Sequence, residues 1–391
     1  MTNRAHIWLA VVISVLILTA HAQAQEQQWL QYHSSREASQ ILGGMPGQVL
    51  ELSAEKPAGV ELPQFKGQNQ FFAKWSTPMV KSGHLWIALD RTHKYGPCDL
   101  ICIDSNGNGH LNDETAVATY RTEQYNAYFG PVKVIFQVED GPVTYHLNFR
   151  FYSSNDSNRR FYASSGGWYE GEITVGAEKK HCVLFDYNTN GTFDDKSLEA
   201  RECDRIRIGK KGEPDTCFVG NYIDVDGTLY KPEIARDGAY IKLAKAEDVK
   251  FGNIRLPESI TEFSAGGENG LFTIKPEKGT GSLPVGKYHI EHWAIERKDE
   301  HSALWKLQGR PEKGVFDIAE DKETEISVGE PVVATLDASE REGTYSFSHN
   351  MKGRDDERIE LSRSGARPQA PKLHIKSKDG KYDRTFSFQY G

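Results

Sequence analysis

Short β-favouring runs separated by turn residues constrain the fold of this chain more than any other feature. Runs rich in Val, Ile, Tyr, Phe and Thr recur along the sequence, among them "HLWIAL", "VKVIFQV", "VTYHLNFRFY", "YIKLA" and "TFSFQY". Such residues fit the half-buried surface of a pleated sheet. Amphipathic helix patterns are nearly absent, and the best candidates, residues 27–42 and 113–120, are short. The sequence therefore predicts a mainly β protein with antiparallel sheets and few short helices.

Four Asp-Gly pairs punctuate these runs, with their aspartates at positions 140, 226, 237 and 379. Asp-Gly tolerates the positive φ angles of the tight turns that join antiparallel strands. We therefore expect a chain reversal at each pair.

The N-terminus has the features of a secretory signal peptide. Arg4 precedes an apolar run over residues 7–20, and small-x-small sites follow at 20–22 and 22–24. This pattern predicts a signal peptide over residues 1–24. A membrane anchor is the alternative, but the run is short for a bilayer span, and no later run is long enough. We expect the chain to be exported to the periplasm or the cell exterior.

The net charge limits which partners the chain can bind, and the cysteine content limits which disulfide bonds it can form. The 55 acidic and 47 basic residues give a net charge of -8, which argues against nucleic acid or anionic lipid as a partner. Five cysteines lie in the central region, at positions 98, 102, 182, 203 and 217. Cys203 and Cys217 flank a strand–turn–strand pattern and could pair across a hairpin; five unpaired thiols are the alternative.

Two segments rich in Asp, Asn and Gly repeat one another without a gap. "DSNGNGHLND" starts at Asp104 and "DYNTNGTFDD" starts at Asp186, each after an apolar run. An EF-hand loop supplies calcium with oxygen ligands from positions 1, 3, 5, 7, 9 and 12, with glycine at position 6. Counted this way, the two segments predict two calcium sites of similar affinity. Their ligands are Asp104, Asn106, Asn108, the His110 carbonyl and Asp113, and Asp186, Asn188, Asn190, the Thr192 carbonyl and Asp195.

The end of each loop departs from the EF-hand. Position 12 is Thr115 or Ser197 instead of glutamate, and position 10 is aspartate in both copies. This resembles the shortened calcium loop of excalibur-type domains, which implies that Asp113 and Asp195 close the loops. Position 9, Asn112 or Asp194, could reach the ion through water. Plain Asn/Asp/Gly turns are one alternative, and a soft-metal site at the cysteine pair 98 and 102 with the His110 side chain is another.

Further motifs carry two wider resemblances. "LPVGKYHIEHW" is similar to a motif of secreted Ig-like and transthyretin-like domains, which implies antiparallel β-sandwich modules. The loops together with "DVDGTLYKPEIARDGAYIKL", "GEPVVATL" and the terminal "FQYG" resemble uncharacterised secreted β-rich proteins of planctomycete-type bacteria. That resemblance implies export and repeated β modules and brings no known activity.

The domain prediction follows the changes in these motifs. After the signal peptide we expect an N-terminal segment (25–44), a β-rich domain with both calcium loops (45–248), a β-sandwich (249–330) and a C-terminal β module (331–391). The last module could instead belong to the preceding sandwich.

No sequence motif assigns catalysis. The chain has no nucleophile elbow, no H-E-x-x-H and no phosphate-binding glycine loop, so we predict no catalytic residues. The preferred function is that of a calcium-stabilised binding or structural protein of the bacterial envelope. The alternatives are a carbohydrate- or cell-surface-binding module and a polysaccharide hydrolase or lyase whose active site is assembled from distant residues. Trp168 and Tyr169 could form a sugar platform or, as we expect, pack into the core.

Overall fold

The computed structural model describes residues 26–41, 43–44, 47–139, 141–155, 157–213 and 215–389. The predicted signal peptide, residues 1–24, lies outside these ranges. Within them, no helix has both the length and the apolar character needed to cross a membrane.

Eighteen strands occupy the described residues before position 246. They are β1(Gln28–Trp29), β2(Gln31–Ser34), β3(Gln48–Leu50), β4(Asn69–Ser76), β5(His84–Arg91), β6(Leu100–Ile103), β7(Val117–Ala118), β8(Arg121–Thr122), β9(Asn126–Val138), β10(Gly141–Asn155), β11(Asn158–Ser165), β12(Gly167–Val175), β13(Glu178–Phe185), β14(Arg205–Gly209), β15(Cys217–Phe218), β16(Ile223–Val225), β17(Thr228–Ile234) and β18(Tyr240–Lys245). The helical elements among the described residues are α1(Ala38–Ile41) and a 3₁₀ turn, Ala200–Glu202.

These strands form four sheets. Their strand orders are β1-β18-β17-β16, β3-β11-β10-β9-β8, β15-β14-β13-β12-β2 and β4-β5-β6-β7. Every pair in them is antiparallel. The longest pair joins β9 to β10, whose register places Tyr145 opposite Val134 and Phe151 opposite Ala127.

Thirteen strands follow between residue 251 and the last described residue, 389. They are β19(Phe251–Arg255), β20(Glu262–Gly267), β21(Gly270–Ile274), β22(Thr280–Pro284), β23(Gly286–Lys298), β24(Leu304–Gly309), β25(Val315–Ile318), β26(Glu323–Glu325), β27(Val333–Arg341), β28(Thr344–Lys352), β29(Ile359–Arg363), β30(Lys372–Lys376) and β31(Asp383–Ser387). The main sheet has the order β21-β20-β23-β24-β29, with β25 also on β23. A smaller sheet, β22-β19-β26, contains a parallel pair, β19 with β26. β27-β28 and β30-β31 are separate hairpins.

Most buried apolar side chains belong to two large clusters. The first core contains residues between Leu30 and Leu243. The second core contains residues between Ile254 and Ile359. The prediction of a mainly β chain with antiparallel sheets is therefore confirmed, whereas the Ig-like and transthyretin-like assignments remain predictions.

Three of the Asp-Gly pairs lie at chain reversals, as predicted. Asp226 and Gly227 have φ angles of 53° and 78° between β16 and β17, which suits a turn with two left-handed positions. The pairs at 237 and 379 lie between β17 and β18 and between β30 and β31. Asp140 is outside the described residues, and Gly141 pairs with Val138 at the start of β10.

The first helix candidate is helical over only a few residues, and the second is not helical. Residues 27–42 contain β1 and β2, which pair with β18 and β12, and α1 covers only Ala38–Ile41. Residues 113–120 contain β7, which pairs with β6. In each segment, hydrogen bonds to a distant strand replace the local bonds that a helix would make, so tertiary pairing overrides the local pattern.

The cysteines are free thiols, and the Cys203–Cys217 bridge is absent. The pairing of β14 with β15 places Cys217 opposite Ile206, while Cys203 Sγ lies 3.0 Å from the Ser197 carbonyl oxygen. Trp168 and Tyr169 are buried, each with 7% exposure. Their expected packing into the protein interior is therefore confirmed.

Candidate metal centre

The two repeated segments occupy equivalent places at the ends of strands. Loop 1, residues 104–113, begins directly after β6 ends at Ile103, and loop 2, residues 186–195, begins directly after β13 ends at Phe185. A strand therefore delivers the first aspartate of each loop from the protein interior, and Asp104 and Asp186 are 1% and 0% exposed.

Side chains of loop 1 hold its backbone and one another. The Asp104 carboxylate accepts the backbone N–H of Asn108 at Oδ1 (3.0 Å) and that of Gly109 at Oδ2 (2.9 Å). Asn106 Oδ1 also accepts the Asn108 N–H, at 3.0 Å. Asp113 Oδ2 accepts the side-chain amides of Asn106 (3.1 Å) and Asn108 (2.8 Å). Two predicted ligands, Asn106 and Asn108, are therefore bound to the carboxylate of a third, Asp113.

Loop 2 repeats this pattern bond for bond. Asp186 accepts the N–H groups of Asn190 at Oδ1 (3.2 Å) and Gly191 at Oδ2 (2.6 Å). Asn188 Oδ1 accepts the Asn190 N–H at 3.2 Å. Asp195 Oδ2 accepts the side-chain amides of Asn188 (3.2 Å) and Asn190 (2.7 Å). Two segments that align in sequence therefore share one three-dimensional arrangement.

Both loops bend through left-handed backbone at the same two positions. At position 4, Gly107 has φ 72° and Thr189 has φ 59°; at position 6, Gly109 has φ 86° and Gly191 has φ 95°. A β-branched residue rarely adopts this conformation. Thr189 is held there because its carbonyl accepts the indole N–H of Trp75 at 2.7 Å.

The apolar residue at position 8 anchors each loop in the interior. Leu111 and Phe193 are 0% and 1% exposed. Their backbone N–H groups donate to the carbonyls of Glu61 (2.8 Å) and Arg236 (3.0 Å), respectively. Each loop is therefore joined to a segment distant from it in sequence.

One carboxylate outside the predicted ligand set completes each loop. Glu114 accepts the backbone N–H (2.6 Å) and hydroxyl (2.7 Å) of Ser105. In loop 2, Asp204 accepts the N–H groups of Tyr187 (3.0 Å) and Asp195 (2.9 Å). Sequence reasoning missed both. Glu114 directly follows the closing aspartate of loop 1, so the sequence could have indicated its role. Asp204 immediately precedes β14, and it reaches loop 2 only because β14 pairs with β13 in the folded protein.

The surroundings of the loops differ. Asn106, Asn108 and Asp113 are exposed to solvent. In loop 2, by contrast, Thr189 and Thr192 are 0% and 1% exposed. Loop 1 is therefore a surface loop, whereas loop 2 lies partly within the first core.

Loop 2 also receives bonds from its neighbours and within itself. The Tyr145 hydroxyl on β10 donates to Asp186 Oδ2 at 2.8 Å. The Thr192 hydroxyl donates to Asp195 Oδ2 at 2.7 Å. Gln48 on β3 donates its side-chain amide to the Thr189 carbonyl at 2.7 Å. Together with the bond from Trp75 on β4, these contacts support the conformation of loop 2 from three strands outside it.

Burial sets the electrostatics of the acids. Burial raises the pKa of Asp186 to about 7, against the opposing hydrogen bonds from Gly191 and Tyr145. Burial also raises the pKa of Asp204 well above its ordinary value, and the charges of Asp186 and Asp195 add to the effect. Loop 2 thus concentrates negative charge where water screens it poorly, and a bound cation would relieve that repulsion.

On loop 1 the two acids shift in opposite directions. Burial raises the pKa of Asp104. The hydrogen bond from the Asn106 amide lowers the pKa of exposed Asp113. The closing carboxylate of loop 1 is therefore readily ionised.

The remaining predicted groups serve other contacts. The His110 ring accepts the Glu61 N–H at 3.2 Å, and the Asn112 amide donates to Glu61 Oε2 at 2.6 Å. Cys102 Sγ lies 3.6 Å from the Leu111 carbonyl oxygen. Across the described ranges, no three His, Cys, Asp or Glu side chains form a group that could hold a metal ion. Any metal at these loops would therefore depend on amide and carbonyl oxygens as well as carboxylates.

The loops retain the oxygen atoms that such a site needs. A carboxylate oxygen or an amide oxygen has two acceptor sites. Asp113 and Asp195 accept the side-chain bonds described above through Oδ2, and Oδ1 of each takes no part in them. Asn106 Oδ1 and Asn188 Oδ1 each accept one N–H, which leaves one site on each atom. The residues present therefore fit a hard, oxygen-seeking cation.

Comparison with protein-family models, with characterised proteins and with solved structures gives no match to this chain.

Proposed function

We propose that this chain is a secreted, calcium-binding bacterial protein of mainly β structure, in which calcium in loops 1 and 2 stabilises the fold. We assign it a binding or structural role at the cell envelope. The observation that carries the proposal is that the same five hydrogen bonds, made by residues at the same positions, hold both loops. A chance turn would not be expected to reproduce five such bonds, two left-handed positions and a buried apolar anchor.

Calcium suits these loops better than other metals. Their donors are carboxylate, amide and backbone oxygens, which hard cations prefer. Magnesium demands near-ideal octahedral geometry and keeps several waters, so an adaptable loop of this kind favours calcium. The two predicted carboxylate ligands of each loop balance the charge of one calcium ion. Extracellular calcium modules bind with Kd values of roughly 10⁻⁴ to 10⁻³ M, which would keep both sites loaded outside a cell.

The matching ligand sets predict two sites of similar affinity, but the different surroundings of the loops lead us to propose that their affinities differ. The backbone of loop 2 is already fixed by Trp75, Gln48 and Tyr145, so less conformational entropy is lost when an ion binds. Preorganisation of this kind increases affinity by lowering the cost of binding. We therefore expect loop 2 to be the tighter site at a pH where its acids are ionised.

Titration calorimetry of the full chain with calcium chloride tests the proposal. The wild type should take up calcium at two sites, and Asp113→Asn and Asp195→Asn should each retain one. These substitutions conserve shape and remove one charge, so a matched circular dichroism spectrum would show that each variant still folds. A wild-type chain that takes up no calcium at millimolar concentration would refute the proposal.

A further inference from the structure

An open cavity of about 670 Å³ adjoins loop 2. Its wall combines β3, the turn between β4 and β5, loop 2 and the 3₁₀ turn after loop 2. The lining includes Gln48, Val49, Ser76, Asn188, Asn190 and Arg201. Small-molecule sites usually have volumes of about 300–1,000 Å³, so this cavity is large enough for a sugar unit of an oligosaccharide.

Loop 2 faces this cavity with only part of its ligand set. Asn188 and Asn190 line the cavity, whereas Asp186 and Thr192 are 0% and 1% exposed. The amide side of the loop is therefore accessible from the cavity, and its first carboxylate is anchored in the protein interior.

Loop 2 would leave calcium with incomplete coordination. Calcium takes six to eight oxygen ligands, and the loop offers five groups: two aspartates, two asparagines and one backbone carbonyl. Position 12, which supplies a bidentate glutamate in an EF-hand, is Ser197 here. One or more positions on the ion would thus remain for oxygens from outside the loop.

The charges around the cavity favour a neutral ligand. Asp186 and Asp195 balance the charge of one calcium ion. At the rim, Arg201 and Glu202 line the cavity with opposite charges, and both are exposed. A carboxylate or phosphate would find no net positive charge there, whereas hydroxyl groups can both accept from and donate to the amides and the rim.

We propose that this cavity binds a neutral glycan, whose vicinal diol completes the coordination of calcium in loop 2. The inference rests on the proposed function, because it requires calcium in that loop. Loop 1 provides an internal comparison: it has the same ligand types and also lacks the position-12 acid, but none of its residues lines this cavity.

An array of immobilised neutral and acidic oligosaccharides, probed with the full chain in millimolar calcium chloride and in chelator, tests the inference. Neutral glycans should be retained in calcium and lost in chelator. Asp195→Asn should abolish retention, and His301→Gln, at an exposed position outside both loops and the cavity lining, should leave it unchanged. Val49 is 70% exposed and lines the cavity, so Val49→Trp should block it and weaken glycan binding by at least about tenfold.

Calorimetry on Val49→Trp separates the two proposals, because this residue lies outside loop 2. Normal calcium uptake by this variant, with glycan binding lost, is the expected result. Calcium uptake by the wild type without retention of any neutral glycan would overturn the cavity proposal and leave the calcium proposal intact. Retention that persists in chelator, or retention of acidic glycans alone, would overturn it as well. Absence of calcium uptake would overturn both.

Discussion

At the scale of single residues, the position-6 glycines share a backbone conformation and differ in what surrounds them. A Cβ atom added to Gly109 would meet nothing within 4 Å. One added to Gly191 would lie 3.2 Å from the Phe136 ring, 3.2 Å from the Thr77 hydroxyl oxygen and 3.3 Å from Met79 Cγ. Both positions have positive φ angles, so alanine is strained at either and is also crowded at Gly191.

We therefore expect Gly191→Ala to destabilise the protein more than Gly109→Ala. Left-handed backbone costs an alanine about 1–2 kcal/mol at either position. Crowding in a packed interior adds about 1–3 kcal/mol at Gly191. Urea unfolding of the two variants in chelator measures the difference directly. Equal losses would mean that loop 2 is less tightly packed than its contacts indicate.

His146 gives the stability of the first core a dependence on pH. Its Nδ1 lies 3.2 Å from the Tyr32 hydroxyl, and its ring stacks on Tyr32 with 5.6 Å between centroids. Burial lowers the pKa of His146 below its ordinary value of 6.5, and the charge of Lys133 adds to the effect. The unfolded chain therefore binds this proton more readily than the folded chain.

It follows that the contribution of neutral His146 to the free energy of unfolding is fully present above pH 6.5. It is lost as the pH falls through the pKa of His146 in the folded chain. His146→Gln should reduce the loss of unfolding free energy on acidification, by up to about 1.4 kcal/mol for each unit of pKa difference. Urea titrations between neutral and mildly acidic pH test this. His301→Gln, at an exposed position, is the control and should behave like the wild type.

At the scale of elements, each loop depends on a carboxylate that closes it from outside the ligand set. Asp204 is fully buried and accepts one backbone N–H at each oxygen, from Tyr187 and Asp195. Glu114 is less buried and binds the N–H and hydroxyl of Ser105. If the acceptor is lost, water can bind the N–H group of Ser105 more easily than it can reach the N–H groups beside buried Asp204.

Asp204→Asn should therefore destabilise the protein more than Glu114→Gln. An amide has one acceptor oxygen, so the asparagine leaves one of the two backbone N–H groups without a partner, at a cost of about 1–3 kcal/mol. Thermal melts in chelator provide the measurement. If Glu114→Gln were the more damaging change, the surface loop would be the one that depends on its closing carboxylate.

At the scale of the whole molecule, both loops lie away from the second core. Phe193 of loop 2 is a member of the first core, and Leu111 of loop 1 belongs to a small separate cluster with Phe72, Ala88 and Cys102 on β4, β5 and β6. The second core runs from Ile254 to Ile359 and contains no residue of either loop. A ligand that binds only the folded state should therefore stabilise the two cores to different extents.

We expect calcium to slow amide hydrogen exchange in the first core and to leave the second nearly unchanged. At a calcium concentration about tenfold above Kd, each occupied site contributes roughly 1.4 kcal/mol. Exchange of the full chain in calcium and in chelator, read by mass spectrometry of its peptides, resolves β9 and β13 from β20 and β23. Equal protection of both cores, or none in the first, would contradict calcium binding at the loops.

The sequence alone was sufficient to predict the local structure of the chain. Alternating β-favouring runs predicted the strands, Asp-Gly pairs predicted the reversals, and the spacing of Asp, Asn and Gly predicted two equivalent loops. These features are encoded within a few residues, because side-chain period and turn chemistry act over short distances. The same local reasoning failed for residues 27–42, where pairing with β18 and β12 outweighs a weak helical pattern.

Only the tertiary structure decided how the two loops differ. Their sequences match, yet loop 1 is exposed while loop 2 is held by Tyr145 and Trp75 and closed by Asp204. No local pattern predicts that β3 and the turn between β4 and β5 enclose a cavity beside Asn188. Burial and the raised pKa of a carboxylate depend on which strands surround it, and that is determined when distant segments pack together.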